Sequence, residues 1–244
     1  MNTYKIIKPD PDILCLEAAK NFLRLAHQCV EQKGEFCIAL AGGSTPKRFY
    51  QILAQPPFST SIPWGKMHIF FGDERAVPPD HPDSNYGMAN RFLFKHISID
   101  PLRVHRFQAE LEPEEAAKAY HTVVKAFLPS NDNGLPVFDL ILLGLGDDGH
   151  VASLFPGTDI LDITDRCAAK VWVESKESWR LSITLPVINS AKNVWLMVTG
   201  QNKNDIVDRV FNYPSITEPL PVERVNPKDG LTWYLDKAAA NWVK

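Results

Sequence analysis

Phe36-Cys37-Ile38-Ala39-Leu40-Ala41-Gly42-Gly43-Ser44-Thr45-Pro46 is the stretch of the sequence that decides the fold. Its first six residues form a continuous apolar run of strand length, which is typical of a strand buried on both faces. Two glycines then allow a tight turn, and the Ser-Thr-Pro sequence favours the start of a helix. Residues 47–53 continue with helical spacing. A buried strand, a glycine turn and a helix in succession are the repeating unit of an α/β fold.

The same alternation of apolar runs and helical segments recurs along the whole chain. Further predicted strands cover residues 67–71, 138–143, 168–173, 194–198 and 231–235. Predicted helices cover residues 11–32, 113–127 and 202–211, the first with Asp10 as its N-cap, Pro11 in its first turn and Gly34 beyond its end. The proline-rich residues 214–227 predict a surface loop before a last strand and helix. We therefore expect one α/β domain over residues 1–244, Rossmann-like in its mostly parallel sheet with helices on both faces.

Composition and charge exclude several classes of protein. The 244 residues are 45% hydrophobic and 23% charged with a formal net charge of -3, which gives no global attraction to nucleic acid or anionic membranes. No apolar stretch approaches the roughly 20 residues of a membrane helix, and the N-terminus lacks the apolar core of a signal peptide. The four cysteines form no C-x-x-C pair and lie near no cluster of metal ligands, so we expect reduced thiols and no metal. We expect a cytoplasmic monomer or homodimer without nucleic-acid or membrane partners.

Ligands of open parallel sheets bind beside the carboxyl ends of strands, so the residues after each predicted strand are the candidate site. After the first strand, Gly42, Gly43, Ser44 and Thr45 offer N–H groups and hydroxyls at a helix N-terminus, which is typical of a phosphate site. The same residues also fit a glycine turn with a helix cap and no ligand. The loop is not a Walker A motif, and the Ser44-x-x-Lys47 spacing of serine acyl-enzymes lacks its companion S-D-N and K-T-G elements.

Three cations lie near the ends of other predicted strands. Arg75 ends the sequence Gly-Asp-Glu-Arg after the strand at residues 67–71, and a guanidinium binds phosphate bidentately. Lys203 lies three residues after Gly200 at the start of a predicted helix, where an ammonium is unfavourable unless an anion compensates it. Arg180 precedes the run Leu-Ser-Ile-Thr-Leu-Pro. Each cation also fits a solvated surface charge, with Arg75 paired to a neighbouring carboxylate.

The sequence Leu-Gly-Leu-Gly-Asp-Asp-Gly-His at residues 143–150 follows another predicted strand. Its glycines match the G-x-G-x-x-G pattern of dinucleotide-binding proteins, but Asp147 and Asp148 would place carboxylates where a pyrophosphate should lie. Pro156 also limits any following helix to roughly two turns, so we expect no nicotinamide cofactor. His150 is instead suited to deprotonate a water near neutral pH, with Asp148 as the candidate that orients its ring. The alternative is a structural histidine.

Together these motifs resemble the 6-phosphogluconolactonases, within the wider glucosamine-6-phosphate isomerase/deaminase-like fold. The matching pieces lie in order along most of the chain: Gly42-Gly43-Ser44-Thr45-Pro46, Gly72-Asp73-Glu74-Arg75, Ser84-Asn85-Tyr86, the segment from Gly144 to Pro156, Arg180 before its Ser-Ile-Thr-Leu-Pro run, and Gly200 with Lys203. The resemblance implies a Rossmann-like parallel sheet and hydrolysis of the sugar-phosphate lactone 6-phospho-D-glucono-1,5-lactone in the oxidative pentose phosphate pathway. We expect this reaction to need no cofactor.

The resemblance also implies roles for individual residues. The catalytic histidine falls on His150, the phosphate-binding elements fall on the Gly43 and Ser44 loop, Arg75 and Lys203, and a further arginine of the family's strand motif falls on Arg180. The related deaminases carry a glutamate in an Asn-Glu-Pro segment after their Gly-His. Ser153-Leu154-Phe155-Pro156 occupies that place here, which favours the lactonase. The alternatives are an isomerase or deaminase of the same fold and a non-catalytic module that binds sugar phosphates.

Overall fold

The computed structural model describes residues 3–215, 217–228 and 230–242, in which nine strands form two sheets. The strands are β1 (Thr3–Lys8), β2 (Phe36–Leu40), β3 (Met67–Phe71), β4 (Asp73–Arg75), β5 (Leu140–Leu143), β6 (Ala168–Val173), β7 (Ser178–Ile183), β8 (Val194–Val198) and β9 (Leu231–Asp236). The larger sheet has the order β1-β9-β8-β5-β2-β3, and all its neighbouring strands run parallel. The smaller sheet, β4-β7-β6, is antiparallel. The predicted α/β fold with a mostly parallel sheet is confirmed.

Helices cover the larger sheet and pack on the smaller one. They are α1 (Pro11–Lys33), α2 (Ser44–Leu53), α3 (Phe58–Ser61), α4 (Asn85–Phe92), α5 (Pro113–Phe127), α6 (Leu185–Ser190) and α7 (Asn204–Asn212). Every residue of β2, β5 and β8 is buried, and since successive side chains of a strand point to opposite faces, both faces of the larger sheet are covered. Helix α1 packs on β1, β2, β9 and α2, whereas α5 packs on β6 and β7. No helix among the described residues is long and apolar enough to cross a membrane.

Helix boundaries follow the capping residues closely at α1. The Asp10 carboxylate accepts a hydrogen bond from the Ile13 N–H at 2.9 Å, and Gly34 ends the helix in a left-handed conformation. Helix α5 has the predicted limits. Helix α2 begins at Ser44, earlier than the predicted residue 47, and the helix predicted over residues 202–211 divides into a 3-10 turn, Gln201–Lys203, followed by α7.

Several predictions about the organisation of the chain are wrong. The strand predicted at residues 168–173 exists as β6, but it belongs to the antiparallel sheet because it pairs with β7 along its whole length. Strands β1, β4 and β7 were not predicted, since polar or charged residues interrupt the apolar run in each. Described residues 237–242 form turns where a last helix was expected. The proline-rich segment is not a plain surface loop, because Leu220, Val222 and Val225 are buried in the core.

Two buried tyrosines fix the carboxyl ends of strands at which ligands are expected. The Tyr50 hydroxyl, on α2, donates to the Ala41 carbonyl at 2.7 Å and accepts from the Ala41 N–H at 3.1 Å. The Tyr120 hydroxyl, on α5, makes the same pair of bonds with Phe71, both at 2.8 Å. Each hydroxyl satisfies backbone groups that the strand leaves unpaired where it ends. The turns after β2 and β3 are therefore anchored to helices.

Candidate active site

A cleft with a volume of about 330 Å³ lies where the carboxyl ends of β2, β5 and β8 meet the small sheet. Most of the predicted site residues line it: Gly42, Gly43, Ser44, Thr45, Arg75, His150, Arg180 and Lys203. Asp148 does not line the cleft itself, but it is hydrogen-bonded to His150, which does. The residues that follow the carboxyl ends of the predicted strands therefore meet at one cleft, as expected for a parallel sheet.

His150 and Asp148 form a hydrogen-bonded pair at the cleft. The Asp148 Oδ1 atom lies 2.5 Å from His150 Nδ1 and 3.1 Å from the His150 backbone nitrogen. Because an ionised carboxylate only accepts, this contact assigns the proton to Nδ1 and leaves Nε2 free to accept a proton. Burial raises the pKa of Asp148, but the charge and hydrogen bonds of His150 together outweigh burial and lower it below its ordinary value. Asp148 is thus an anionic partner that can stabilise a protonated imidazole.

Two glycines permit this pairing within one short turn. Gly149 has a φ of 81°, in the left-handed region, and its N–H donates to the Gly146 carbonyl at 3.0 Å. Gly146 lies directly beneath the pair: a Cβ at this position would stand 2.0 Å from His150 Nδ1 and 2.6 Å from Asp148 Oδ1. Any side chain at residue 146 would therefore displace the imidazole or the carboxylate.

The residues after His150 form a compact turn and not a helix. An isolated bridge joins Val151 to Leu154, and Ala152 adopts a φ of 49°, a strained conformation for a residue other than glycine. The turn places the Phe155 ring against the His150 imidazole, with centroids 4.1 Å apart and planes 26° apart. The imidazole is therefore held at its edge by Asp148 and on one face by Phe155.

The N-terminus of α2 presents unsatisfied N–H groups to the cleft. Gly43 is the N-cap residue, and no side chain caps the helix. Ser44 and Thr45 both lie inside the first turn, and the Thr45 hydroxyl lies 2.7 Å from the hydroxyl of Thr199. A helix N-terminus without a side-chain cap, with the Ser44 hydroxyl beside it at the cleft, is suited to binding an anion.

Arg75 and Arg180 stand directly opposite each other in the β4–β7 pair. Arg75 donates to two neutral acceptors, the Asn85 side-chain oxygen and, at 3.2 Å, the Asp83 carbonyl. Within the described part of the chain, the buried Nε of Arg180 has no hydrogen-bond partner. Burial lowers the pKa of Arg180, and the charge of Arg75 lowers it further. Two adjacent positive guanidiniums, one of them with a buried N–H that lacks a partner, favour an anionic ligand.

The carboxylates next to Arg75 in sequence do not neutralise its guanidinium. Glu74 is buried and accepts four hydrogen bonds, from the backbone N–H groups of Arg75, Asn85 and Tyr86 and from the Ser84 hydroxyl. The Asp73 carboxylate accepts from the Ser153 hydroxyl at 2.7 Å and from the Asn85 amide at 3.1 Å. The alternative in which the Arg75 guanidinium pairs with Asp73 or Glu74 in a charged turn is therefore wrong, because both carboxylates bond to other groups.

Lys203 lies at the N-cap of α7, facing the cleft. Its Nζ atom lies 2.6 Å from Asp147 Oδ1. The anion expected to compensate an ammonium at a helix N-terminus is thus supplied, in this structure, by the chain itself.

A family model described as glucosamine-6-phosphate isomerases/6-phosphogluconolactonase matches residues 9–234. The chain belongs to this family. The 6-phosphogluconolactonase of Haemophilus influenzae is 41% identical over 203 residues, which cover 83% of this chain and 85% of that protein. The Synechocystis 6-phosphogluconolactonase is 38% identical, with 87% and 86% covered. The structure of 6-phosphogluconolactonase from Trypanosoma brucei, 28% identical, has a TM-score of 0.88 and covers 100% of this chain and 99% of its own. The resemblance inferred from the motifs is confirmed.

Several residues at the site could not be recognised from the sequence. Leu220 packs over Gly149, and the Val222 N–H donates to the Gly149 carbonyl at 3.0 Å, so a distant loop supports the turn that bears His150. Lys176, at the tip of the β6–β7 hairpin, also lines the cleft. Phe155 belongs to the segment from Gly144 to Pro156, but the sequence of that segment does not indicate that its ring stacks on His150. Among the described residues, no three His, Cys, Asp or Glu side chains are grouped as metal ligands.

Proposed function

We propose that this chain hydrolyses 6-phospho-D-glucono-1,5-lactone to 6-phospho-D-gluconate in the oxidative pentose phosphate pathway, with water activated by His150. One observation carries the proposal: a hydrogen-bonded His150–Asp148 pair faces a cleft whose other wall presents phosphate-binding groups. The 6-phosphogluconolactonases among the relatives support the choice of substrate.

The 6-phosphate binds between the N-terminus of α2 and the cations of the cleft in this proposal. The backbone of Gly42 and Gly43 lets the phosphate approach the N–H groups of Ser44 and Thr45, and the Ser44 hydroxyl donates to it. Arg75 and Lys203 supply positive charge, and Arg180 adds to it from the neighbouring strand. Anchoring the phosphate fixes the distant lactone carbonyl, and well-oriented reactants can gain on the order of 7–11 kcal/mol from positioning.

His150 Nε2 then takes a proton from water as the water oxygen bonds to C1 of the lactone. Asp148 stabilises the resulting imidazolium through the Nδ1 contact. When the C1–O5 bond breaks, the proton on Nε2 passes to the ring oxygen, which leaves as the hydroxyl of the open-chain acid. The carboxylic acid formed at C1 then loses its proton to solvent, which gives 6-phospho-D-gluconate and leaves His150 ready for another turnover. No step of this scheme uses a metal or a cofactor. General base assistance of this kind contributes about 10²–10⁴-fold.

The test is lactone hydrolysis by a His150→Ala variant. We expect kcat to fall at least about 10²-fold, since the general base is lost. His27→Ala is the matched control, because His27 is an exposed histidine on α1 that contacts only a backbone carbonyl in its hydrogen bond to Ser61. Near-normal kcat in His150→Ala would reject the role of His150. Ammonia release from glucosamine 6-phosphate, without lactone hydrolysis, would instead assign the chain to the isomerase side of the family.

We also propose that residues 1–244 act as one domain in the cytoplasm, as a monomer or a homodimer. Hydrogen bonds between the small sheet and the segments that follow β3 and β5 support a single unit. The Ile183 N–H donates to the Gly72 carbonyl at 2.9 Å, and Ser153 contacts both Asp73 and Ser182. Cooperative unfolding in a single transition would agree with one domain, and two separate transitions would contradict it. Light scattering on the eluted protein measures the oligomeric state, and cell fractionation locates it.

A further inference from the structure

Asp147 is the one carboxylate of the doubled Asp-Asp sequence that the proposed mechanism does not use. Asp148 engages His150, whereas Asp147 reaches across 56 residues of sequence to Lys203, with its Oδ1 atom 2.6 Å from Nζ. This ion pair joins the turn that bears His150 to the N-cap of α7. A cation proposed to bind phosphate is therefore already occupied by a carboxylate of the same protein.

We propose that Asp147 is a counter-ion that the substrate phosphate displaces from Lys203, and that its return to Lys203 promotes release of the product. The inference rests on the proposed function, because it assumes that Lys203 binds the 6-phosphate. Asp147 is therefore an affinity-determining residue: its carboxylate makes the cleft bind phosphate-bearing ligands more weakly than the same cleft would without that carboxylate.

The two partners of the ion pair differ in how easily they can move. The Asp147 side chain is 74% exposed, whereas that of Lys203 is 21% exposed. Asp147 can therefore rotate into solvent and regain hydration, while Lys203 stays beside the cleft. A phosphate dianion close to Lys203 would also approach the Asp147 carboxylate, and repulsion between like charges favours that rotation. The phosphate then takes the place of the carboxylate both at the ammonium and near the N-terminus of α7.

Displacement has a consequence for turnover. The product carries a phosphate and a new carboxylate, so a cleft with several cations binds it well after the reaction. Interactions that hold substrate, transition state and product equally do not raise kcat, and slow product release lowers it. A carboxylate that competes for Lys203 weakens this uniform binding without touching His150. Asp147 belongs to the same turn as His150, so its carboxylate can re-form the ion pair with Lys203 by rotating back, without diffusing from solution.

The experiment compares wild type with Asp147→Asn, using inorganic phosphate and 6-phosphogluconate as competitive inhibitors of lactone hydrolysis. We expect both inhibition constants to fall by roughly 2- to 5-fold, the range that follows from the strength of exposed ion pairs. The gain should shrink as salt is added, because screening weakens the competing charge in wild type. Asp147→Glu, which keeps the carboxylate, should have inhibition constants within about 2-fold of wild type.

Asp132→Asn is the matched control for the change in net charge. Asp132 is exposed in the loop before β5, at the opposite end of that strand from the cleft. The inhibition constants of Asp132→Asn should therefore equal those of wild type. Unchanged or raised inhibition constants in Asp147→Asn would overturn the inference, because they would mean that Asp147 does not compete or that it helps to place Lys203. An equal fall in Asp132→Asn would also overturn it, since the effect would then be one of net charge.

Direct calorimetric binding of 6-phosphogluconate separates this inference from the proposed function. Tighter binding in Asp147→Asn than in wild type supports the displacement even if wild type fails to hydrolyse the lactone, in which case the proposed function alone fails. Lactone hydrolysis by wild type, together with unchanged binding in Asp147→Asn, rejects the displacement alone.

Discussion

Gly146→Ala tests the catalytic turn without removing any reacting group. The new Cβ would stand 2.0 Å from His150 Nδ1, 2.2 Å from His150 Cε1 and 2.6 Å from Asp148 Oδ1. All three separations are below the closest approach of non-bonded atoms, so the imidazole, the carboxylate or the turn must move. Gly146 does not have a positive φ, so an alanine meets no backbone strain there, and the contact with the pair is the whole perturbation.

The expected loss follows from the required movement. Relieving a 2.0 Å contact to an ordinary separation above 3.4 Å needs a shift of more than about 1 Å. Such a shift breaks the Asp148–His150 bond or turns Nε2 away from the lactone, and displacements of this size cost about 10²-fold in rate. We therefore expect kcat to fall by about 10²-fold, approaching the value for His150→Ala. The Tm should change little, because Asp148 is exposed and His150 is partly exposed.

The assay is lactone hydrolysis under saturating substrate, with thermal unfolding measured on the same samples. Gly65→Ala is the control, because Gly65 is exposed and lies outside the cleft, and a Cβ there meets no atom within 4 Å. A kcat for Gly146→Ala within about 3-fold of the Gly65→Ala value would refute the view that the geometry of the His150–Asp148 pair sets the rate. A large fall in the Tm would instead show that the turn stabilises the fold.

Two further predictions concern stability. Burial lowers the pKa of His105 from 6.5 to about 4, so the unfolded chain binds more protons and the free energy of unfolding should fall by about 3 kcal/mol as pH drops between those values. His105→Phe should lose that part of the pH dependence in urea unfolding, and an unaltered slope would contradict the assignment. Leu220→Ala should lower the free energy of unfolding by about 2–5 kcal/mol and also reduce kcat, since Leu220 supports Gly149. A normal kcat in folded protein would reject that supporting role.

Local sequence patterns predicted the larger sheet well. Strand β2 could be recognised because a strand buried on both faces is apolar throughout, and α1 because Asp10 and Gly34 mark its ends by backbone chemistry that depends on nearby residues alone. His150 could be selected because residues at the carboxyl ends of parallel strands meet at one edge. Each of these features depends on a short stretch of chain.

The features that could not be predicted depend on distant pairings. The short β4 contains only Asp-Glu-Arg and exists because β7, about 105 residues later, pairs with it and sets Arg75 opposite Arg180. The support of Gly149 by Leu220 and the Asp147–Lys203 ion pair likewise join segments far apart in sequence. No local propensity encodes these contacts.

Distant pairings also explain how a chain with a net charge of -3 builds a site for an anion. Sequence neighbours would place Asp73 and Glu74 on Arg75, which would neutralise it. The fold instead commits Glu74 to backbone N–H groups and a hydroxyl, and Asp73 to the Ser153 hydroxyl and the Asn85 amide. The carboxylates are therefore satisfied by neutral donors, so they do not need the guanidiniums, and Arg75 and Arg180 keep charge available for a ligand. Net charge describes the whole surface, whereas the local field of the cleft is set by which partner each carboxylate takes.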